Sequence, residues 1–463
     1  MTVWEQLAKE IKHFTGSVRE LRVVSDVTPA EIRRELESRY DFRTPLPLEK
    51  VMADVGRMLR RWTVHVTHPR YFGLFNPSVH EAGIAGDALA ALYNPQLAVW
   101  SHAPAAHELE RHVLRSLARN LGWDPDTALA NFTTGGAEAN LSAVLAALAE
   151  RFPQIGARGL GTFDPRLAIY VTADTHHSFV KIARMTGLGT EALRTVDVTP
   201  MFAMNPEALR QRIETDLQSG DWWPLMIVGT AGTTTTGSID PLPELARAAA
   251  CHGAWFHVDA AWGGSAALSP KLRPALTGIE QADSVTWDAH KWLSVPMGAG
   301  MFFCRRPDAL KQAFSSSTSY MPEDSGADTV DPYAVTVQWS RRAIGLKVFM
   351  TLAELGEKGY ATLIEHQTAM GDLLRERLQL QDWTIVNMTP LPLVCFTHPD
   401  IEQGRTSTRR ILDTIYERGR VWISDAIAGG QPVLRACITS YRTEPSDIDV
   451  LMAELELARK HSW

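Results

Sequence analysis

Between Glu108 and Cys304 the apolar positions fall in short, nearly uninterrupted runs bounded by Gly, Pro, Asp or Thr, with helical stretches between most of them. Runs of this kind are the pattern of buried strands. They lie at residues 167–171, 225–228, 255–258, 284–287 and 301–304. Their alternation with helices predicts a βαβ array with a mostly parallel sheet, in which chemistry collects at the carboxyl ends of the strands. The first 60 or so residues read as helices joined by short loops. One is marked by Thr28-Pro29-Ala30-Glu31, an N-cap with a first-turn proline and a capping-box glutamate. Its stripe, Ile32 and Leu36, predicts a packing arm that reaches across a subunit boundary. After a polar stretch, residues 315–331, a long helical pattern begins near Trp339. Strands near Thr384, Leu393, Val421 and Val433 then alternate with helices near Arg409 and Asp447, predicting a small α/β domain.

Composition narrows the class. With 45% hydrophobic and 21% charged residues the chain is that of a globular enzyme rather than a disordered or fibrous protein. Its 46 Lys and Arg against 53 Asp and Glu give a net charge of −7, without the basic footprint of a nucleic-acid binder. The four cysteines are scattered, with no CxxC pair and no histidines at ligand spacing, which predicts a reducing compartment and no metal. The N-terminus lacks the basic-then-apolar pattern of a signal peptide, and the longest apolar run, around Leu141 to Leu148, is far short of the roughly 20 residues of a membrane span. A soluble, cytoplasmic protein is expected.

Four segments carry candidate chemistry. Asp288-Ala289-His290-Lys291-Trp292 follows a predicted buried strand. A lysine there either snorkels its amine to water along a packed stem or, with a depressed pKa, acts as a carbonyl nucleophile. In His257-Val258-Asp259-Ala260-Ala261-Trp262, Asp259 ends its own strand. Such a carboxylate needs a cationic partner, as a structural ion pair or as the mate of a protonated cofactor ring nitrogen, unless it caps a helix. In Thr133-Thr134-Gly135-Gly136-Ala137-Glu138-Ala139-Asn140 a glycine pair opens a helix whose free N–H groups favour a phosphate. It lacks the lysine of GxxxxGK[ST] and the spacing of GxGxxG, which counts against both nucleotide folds. Asp174-Thr175-His176-His177-Ser178 holds adjacent histidines that point apart, each either a loop residue or a ring to stack on a flat cofactor. Gly232-Thr233-Thr234-Thr235-Thr236-Gly237 adds hydroxyls at a strand end.

Together and in this order, these segments resemble the group II pyridoxal-phosphate decarboxylases of fold type I, the family of aromatic L-amino-acid, glutamate, cysteine-sulfinate and diaminobutyrate decarboxylases. The resemblance runs from His68-Pro69-Arg70-Tyr71-Phe72 to Leu434-Arg435-Ala436-Cys437. It implies an α/β chain of the PLP-dependent transferase type I fold, with a helical arm (1–73), a large cofactor domain with a mostly parallel sheet (74–348) and a small C-terminal α/β domain (349–463). Pyridoxal 5'-phosphate is the implied cofactor, and a homodimer with active sites at the subunit interface the implied assembly. The implied reaction takes carbon dioxide from an amino acid and leaves the amine. By resemblance, Lys291 is the lysine joined to the cofactor's aldehyde, Asp259 the partner of its pyridine nitrogen and His177 the ring-stacking histidine. Gly136 and Ala137 match the phosphate-binding helix start, with His290 also reaching the phosphate and Thr234 near Asp259. Ala137 stands where many relatives have Ser, so backbone N–H groups are expected to carry the phosphate. Tyr320 sits where the family has a mobile-loop tyrosine and is expected to protonate Cα from a closing lid. Relatives with phenylalanine there tend toward oxidative aldehyde formation, so the tyrosine favours simple amine production.

Arg435 matches an arginine near the substrate carboxylate, an ion pair at the domain junction being the alternative. The family draws its side-chain pocket from residues 71–78 and, across the dimer interface, from residues 94–100, which makes Phe72, Ser78, Gln96, Ala98 and Arg435 the expected substrate-binding residues. Gln96 and Ala98 replace bulkier residues of aromatic-specific relatives and open a partly polar pocket, while Phe72, Phe75 and Trp100 remain to clamp a ring. An aromatic L-amino acid is the expected substrate, with an acidic or diamino acid as the alternative. An aminotransferase or carbon–carbon lyase of the same fold would share the cofactor residues but not Asp-Ala-His-Lys-Trp combined with Tyr320. A catalytically dead scaffold would be expected to have lost Lys291 or Asp259.

Overall fold

Seven strands build the main sheet: β1 Leu129–Thr133, β2 Arg166–Val171, β3 Leu193–Thr195, β4 Trp222–Thr230, β5 Trp255–Asp259, β6 Ser284–Asp288 and β7 Gly300–Cys304. The computed structural model describes residues 2–162, 166–316 and 329–461. The strand order is β1-β7-β6-β5-β4-β2-β3, and β7 alone runs against the others. All five apolar runs seen in the sequence are strands of this sheet. β1 and β3 escape that pattern: β1 is interrupted by Asn131, whose amide donates to the carbonyl of Val335 at 3.1 Å, and β3 has only three residues.

Helices cover both faces of this sheet, which is why every residue of the central strands β5 and β6 is buried, polar His257, Ser284 and Thr286 included. Leu117, Leu209, Leu245 and Val348 represent the helices on one face, packed against Phe132, Ile227, Val258 and Val285. Ala143, Val144, Ile182 and Leu310 pack on the other, against Ile169, Val228 and Phe302. The register then gathers polar residues at one edge. Thr230 pairs with Asp259, Asp259 with Thr286, Asp288 with Gly300, and Gly300 with Thr133.

A second, antiparallel sheet has the order β10-β11-β9-β8, with β8 Thr384–Ile385, β9 Leu393–Thr397, β10 Ser424–Ala428 and β11 Gln431–Cys437. Its core includes Leu374, Leu378, Ile411 and Leu451 from the helices Gly345–Gln379, Thr408–Arg418 and Pro445–His461. The long helix begins at Gly345 rather than near Trp339. Glu110 determines this start: its carboxylate pairs with Arg341 at 2.8 Å and accepts the Gly345 N–H at 2.8 Å. The helix breaks at Gly356, where φ is 62°, and the boundary expected at 348/349 falls inside it.

Toward the N-terminus, the helix Pro29–Arg39 carries the capping box read from the sequence, with Thr28 and Glu31 bonding reciprocally. The helices Val3–Ser17, Pro29–Arg39 and Leu48–Trp62 bury no residue completely within this chain. Trp4, Leu36 and Leu59 are exposed. Among the described residues no helix is long and apolar enough to cross a membrane.

Gly300 joins β7 to the start of the helix Gly136–Arg151. A Cβ at Gly300 would collide with Thr133 Oγ1 and come within 2.6 Å of the Gly135 Cα. Gly300→Ala is therefore expected to lower stability by about 1–3 kcal/mol, the usual cost of overpacking, measurable as a fall in the unfolding midpoint.

Candidate active site

The carboxyl ends of β4, β5 and β6 and the start of the helix Gly136–Arg151 enclose a cavity of about 200 Å³. Lys291 enters it from the loop after β6, with its amine 3.2 Å from Asp288 Oδ2. The same amine lies 5.7 Å from the centre of the Phe75 ring. His290 Nδ1 accepts the N–H of Ala299 at 3.0 Å, so the neutral ring carries its proton on Nε2, 3.8 Å from Asp288 Oδ2. Burial pushes the His290 pKa down and favours that neutral form.

The opposite wall is the helix start, where Gly135, Gly136 and Ala137 line the cavity. The first N–H groups of a helix have no intrahelical acceptor. Gly136 is needed for close packing: a Cβ there would lie 3.0 Å from Asp288 Oδ2 and 3.3 Å from Ala261 Cβ. Thr234 also lines the cavity. At its floor, buried Asp259 accepts from Asn140 Nδ2 at 2.8 Å and from the Ala261 N–H at 3.1 Å. A carboxylate bonded in this way remains an acceptor for a cationic N–H presented from the cavity.

Arg435 reaches the same region from β11. Its Nε donates to the carbonyl of Thr234 at 2.9 Å, and its guanidinium lies 4.9 Å from the centre of the Phe75 ring. The side chain is buried, Nη2 has no hydrogen-bond partner, and among the described residues Arg435 makes no ion pair. Of the two alternatives, the domain-junction ion pair is therefore absent from the described chain. Phe75 holds its place between the two cations at a φ of 65° and stacks on Trp262 with centroids 4.7 Å apart. Strain of this kind in a non-glycine residue is typical of functional sites.

Several expected site residues lie elsewhere. His176 lines the cavity, whereas His177, the expected stacking residue, does not and lies immediately before the helix Ser178–Met185. The Nδ1 of His176 is tied to Ser178 Oγ at 2.9 Å, which turns that ring inward. Phe72 is not a pocket residue: its backbone bonds Trp422 and Cys437 beside the second sheet, and its ring packs in that sheet's core. Ser78 is buried against the carbonyl of Thr67 at 2.6 Å and Ser440 Oγ at 2.7 Å, away from the cavity. Gln96 bonds Ser340 and the Ala98 N–H, and neither Gln96 nor Ala98 lines the cavity of its own chain. Tyr320 lies outside the described residues. Asn140 and Asp288 are among the cavity residues that the sequence reading left without a role, although each lies within a motif it singled out.

Below Asp259, β5 buries His257, whose pKa falls to about 4 because burial penalises the imidazolium. The neutral ring is thus built into the fold. The unfolded chain takes up the proton below about pH 6.5, so this contribution to stability is complete above that pH and is lost as pH falls toward 4. Between pH 7.5 and 5 wild type is expected to lose about 2 kcal/mol of unfolding free energy through this residue. Urea titrations of His257→Gln should show a pH-dependent loss smaller by that amount.

The chain matches the family model described as the pyridoxal-dependent decarboxylase conserved domain over residues 29–398. It is 30% identical over 455 residues to tryptophan decarboxylase 2 of Oryza sativa subsp. japonica, covering 95% of this chain and 90% of that protein. Among solved structures it resembles mouse CSAD (TM-score 0.89, 26% identity, 99% of each chain). It also resembles Catharanthus roseus tryptophan decarboxylase in complex with L-tryptophan (TM-score 0.87, 26% identity, 99% and 97%). The cavity with its lysine, paired aspartates and glycine-opened helix is thus framed by a fold and a sequence that agree, and the chain belongs to the pyridoxal-dependent decarboxylase family.

Proposed function

We propose that this pyridoxal-phosphate-dependent decarboxylase converts an aromatic L-amino acid to its amine and carbon dioxide as a cytoplasmic homodimer. The residues of the cavity fit the cofactor. Lys291 offers the amine that holds its aldehyde, Asp259 an acceptor for its ring N–H, and the N–H groups of Gly136 and Ala137, with His290, donors for its phosphate. Thr234 lies at the same wall, and His176 takes the stacking role expected of His177. When bound, pyridoxal phosphate supplies an electron sink for the bond that breaks at the substrate's Cα.

The chain's own residues supply orientation and proton control. Asp259 keeps a proton on the ring nitrogen. Lys291 would hold the cofactor's aldehyde, and Asp288, 3.2 Å from its Nζ, would face its amine as a counter-charge whenever that amine is free. Arg435 holds the substrate carboxylate through its unpartnered Nη2, the single observation that carries the reading of an amino-acid site. A buried guanidinium without an anion is costly, and the substrate provides one. Tyr320 is the proposed proton donor to Cα.

For the aromatic side chain, support comes from the Phe75 ring beside both cations and from the substrates named in the relatives' descriptions. Gln96 and Ala98 would enter the pocket from the partner. The exposed apolar side chains Leu89, Leu92 and Tyr93 on the helix Glu81–Tyr93, with those of the N-terminal helices, support a dimer. Four free cysteines support a reducing compartment.

The test is to incubate the cofactor-loaded protein with a pool of proteinogenic and diamino acids and identify products by mass spectrometry. Aromatic amines with release of carbon dioxide are expected. Oxo acids would overturn decarboxylation, and amines from acidic or diamino acids would overturn the substrate class. Lys291→Ala should abolish turnover and the covalent link seen by borohydride trapping and mass analysis. Arg435→Met should lower kcat/KM by about 10- to 150-fold, the equivalent of a lost charge-assisted contact.

A further inference from the structure

The amide of Asn140 is buried and makes all four of its hydrogen bonds within the protein. Its Nδ2 donates to Asp259 Oδ2 at 2.8 Å and to Ser178 Oγ at 3.1 Å. Its Oδ1 accepts from Thr286 Oγ1 at 2.7 Å and faces His257 Nε2 at 3.1 Å. This orientation is fixed by charge, because a flipped amide would set its oxygen against the Asp259 carboxylate.

The proton positions of the neighbours follow. His257 donates through Nε2, so its Nδ1 accepts from Ser284 Oγ at 2.8 Å, and that oxygen in turn accepts the Trp255 indole N–H at 2.8 Å. On the other side, Ser178 Oγ accepts from Asn140 and passes its own proton to His176 Nδ1 at 2.9 Å. The same nitrogen faces the Ser178 N–H at 3.2 Å. Neutral His176 therefore carries its proton on Nε2, free for the cavity that the residue lines. Burial holds its pKa below the ordinary value and keeps the ring neutral.

We propose that Asn140 is a positioning residue that couples Asp259 to His176. One amide orients the carboxylate that meets the cofactor's ring nitrogen and, through Ser178 Oγ, braces the His176 ring in the tautomer that the Ser178 N–H also favours, with its Nε2 proton presented to an anionic oxygen of the bound cofactor or substrate. The proposal deepens the function above and rests on the roles given there to Asp259 and His176. Three side chains on separate elements, Asn140, Asp259 and His176, are thereby fixed together.

The experiment loads wild type, Asn140→Ala, Ser178→Ala and Thr286→Val with pyridoxal phosphate labelled with ¹⁵N at the ring nitrogen and records its NMR shift alongside kcat and KM. Wild type should show a protonated ring nitrogen. Asn140→Ala should move the shift toward the unprotonated value and lower kcat by about 10- to 100-fold with KM little changed, the usual scale for losing a partner that orients a charged ligand. Ser178→Ala, which cuts only the His176 branch, should lower kcat and leave the shift in place. Thr286→Val keeps Asn140 but removes one anchor of its carbonyl, so a smaller displacement in the same direction is expected, which serves if Asn140→Ala does not fold. A protonated wild-type nitrogen with unmoved shift and kcat in the folded Asn140 and Thr286 variants overturns this proposal alone. An unprotonated wild-type nitrogen overturns the role given to Asp259, and this proposal with it.

Discussion

The constraint on which the site depends is the burial of carboxylates at the edge of a central parallel sheet. Asp259 and Asp288 end adjacent buried strands, and neither has an arginine partner among the described residues. Leaving such groups charged requires that their lone pairs be met by donors. Asp259 receives Asn140 and the Ala261 N–H, and Asp288 faces Lys291 through Oδ2 while its buried Oδ1 has no donor among the described residues. The fold pays for this arrangement with glycine. Gly136 lets the helix start approach Asp288, and Gly300 lets β7 pass beneath Gly135. The electrostatics of the site and the close packing of its backbone are therefore one requirement, and a methyl group added at either glycine disturbs both.

Much of this was legible in the sequence because buried parallel strands write their own signature. Short, mostly apolar runs bounded by Gly, Pro, Asp or Thr and separated by helical stretches pointed to strands buried between helices, and all five are strands of the main sheet. The strand-end position of Asp259 and the loop position of Lys291 followed directly. What stayed hidden depended on register or on distant partners. β1 hides because Asn131 interrupts it to bond Val335, more than 200 residues away in sequence. The choice between His176 and His177 turns on one residue of loop geometry, decided by the Ser178 hydroxyl and N–H that both hold His176. Phe72 looked like a pocket aromatic because it neighbours one. Its backbone instead extends the second sheet and sends the ring into that sheet's core, while Phe75 stands beside Lys291 and Arg435.

The described chain brings together the groups proposed to act on the reacting end of an amino acid and leaves apart those expected to read its side chain. Lys291, Asp259, His176 and Arg435 converge on one region, whereas Gln96 and Ala98 do not line the cavity of their own chain. Such a division has a physical basis. The reaction requires orientation of a carboxylate and a ring nitrogen to within a fraction of an ångström, which a single rigid sheet edge provides. Side-chain preference requires only a wall of the right shape, and a methylene in such a wall changes discrimination by about 1–3 kcal/mol. Gln96 bonds Ser340 and the Ala98 N–H, so a substitution at either position can leave the buried carboxylates undisturbed. In the reading proposed above, the chemistry and the choice of substrate thereby rest on separate elements.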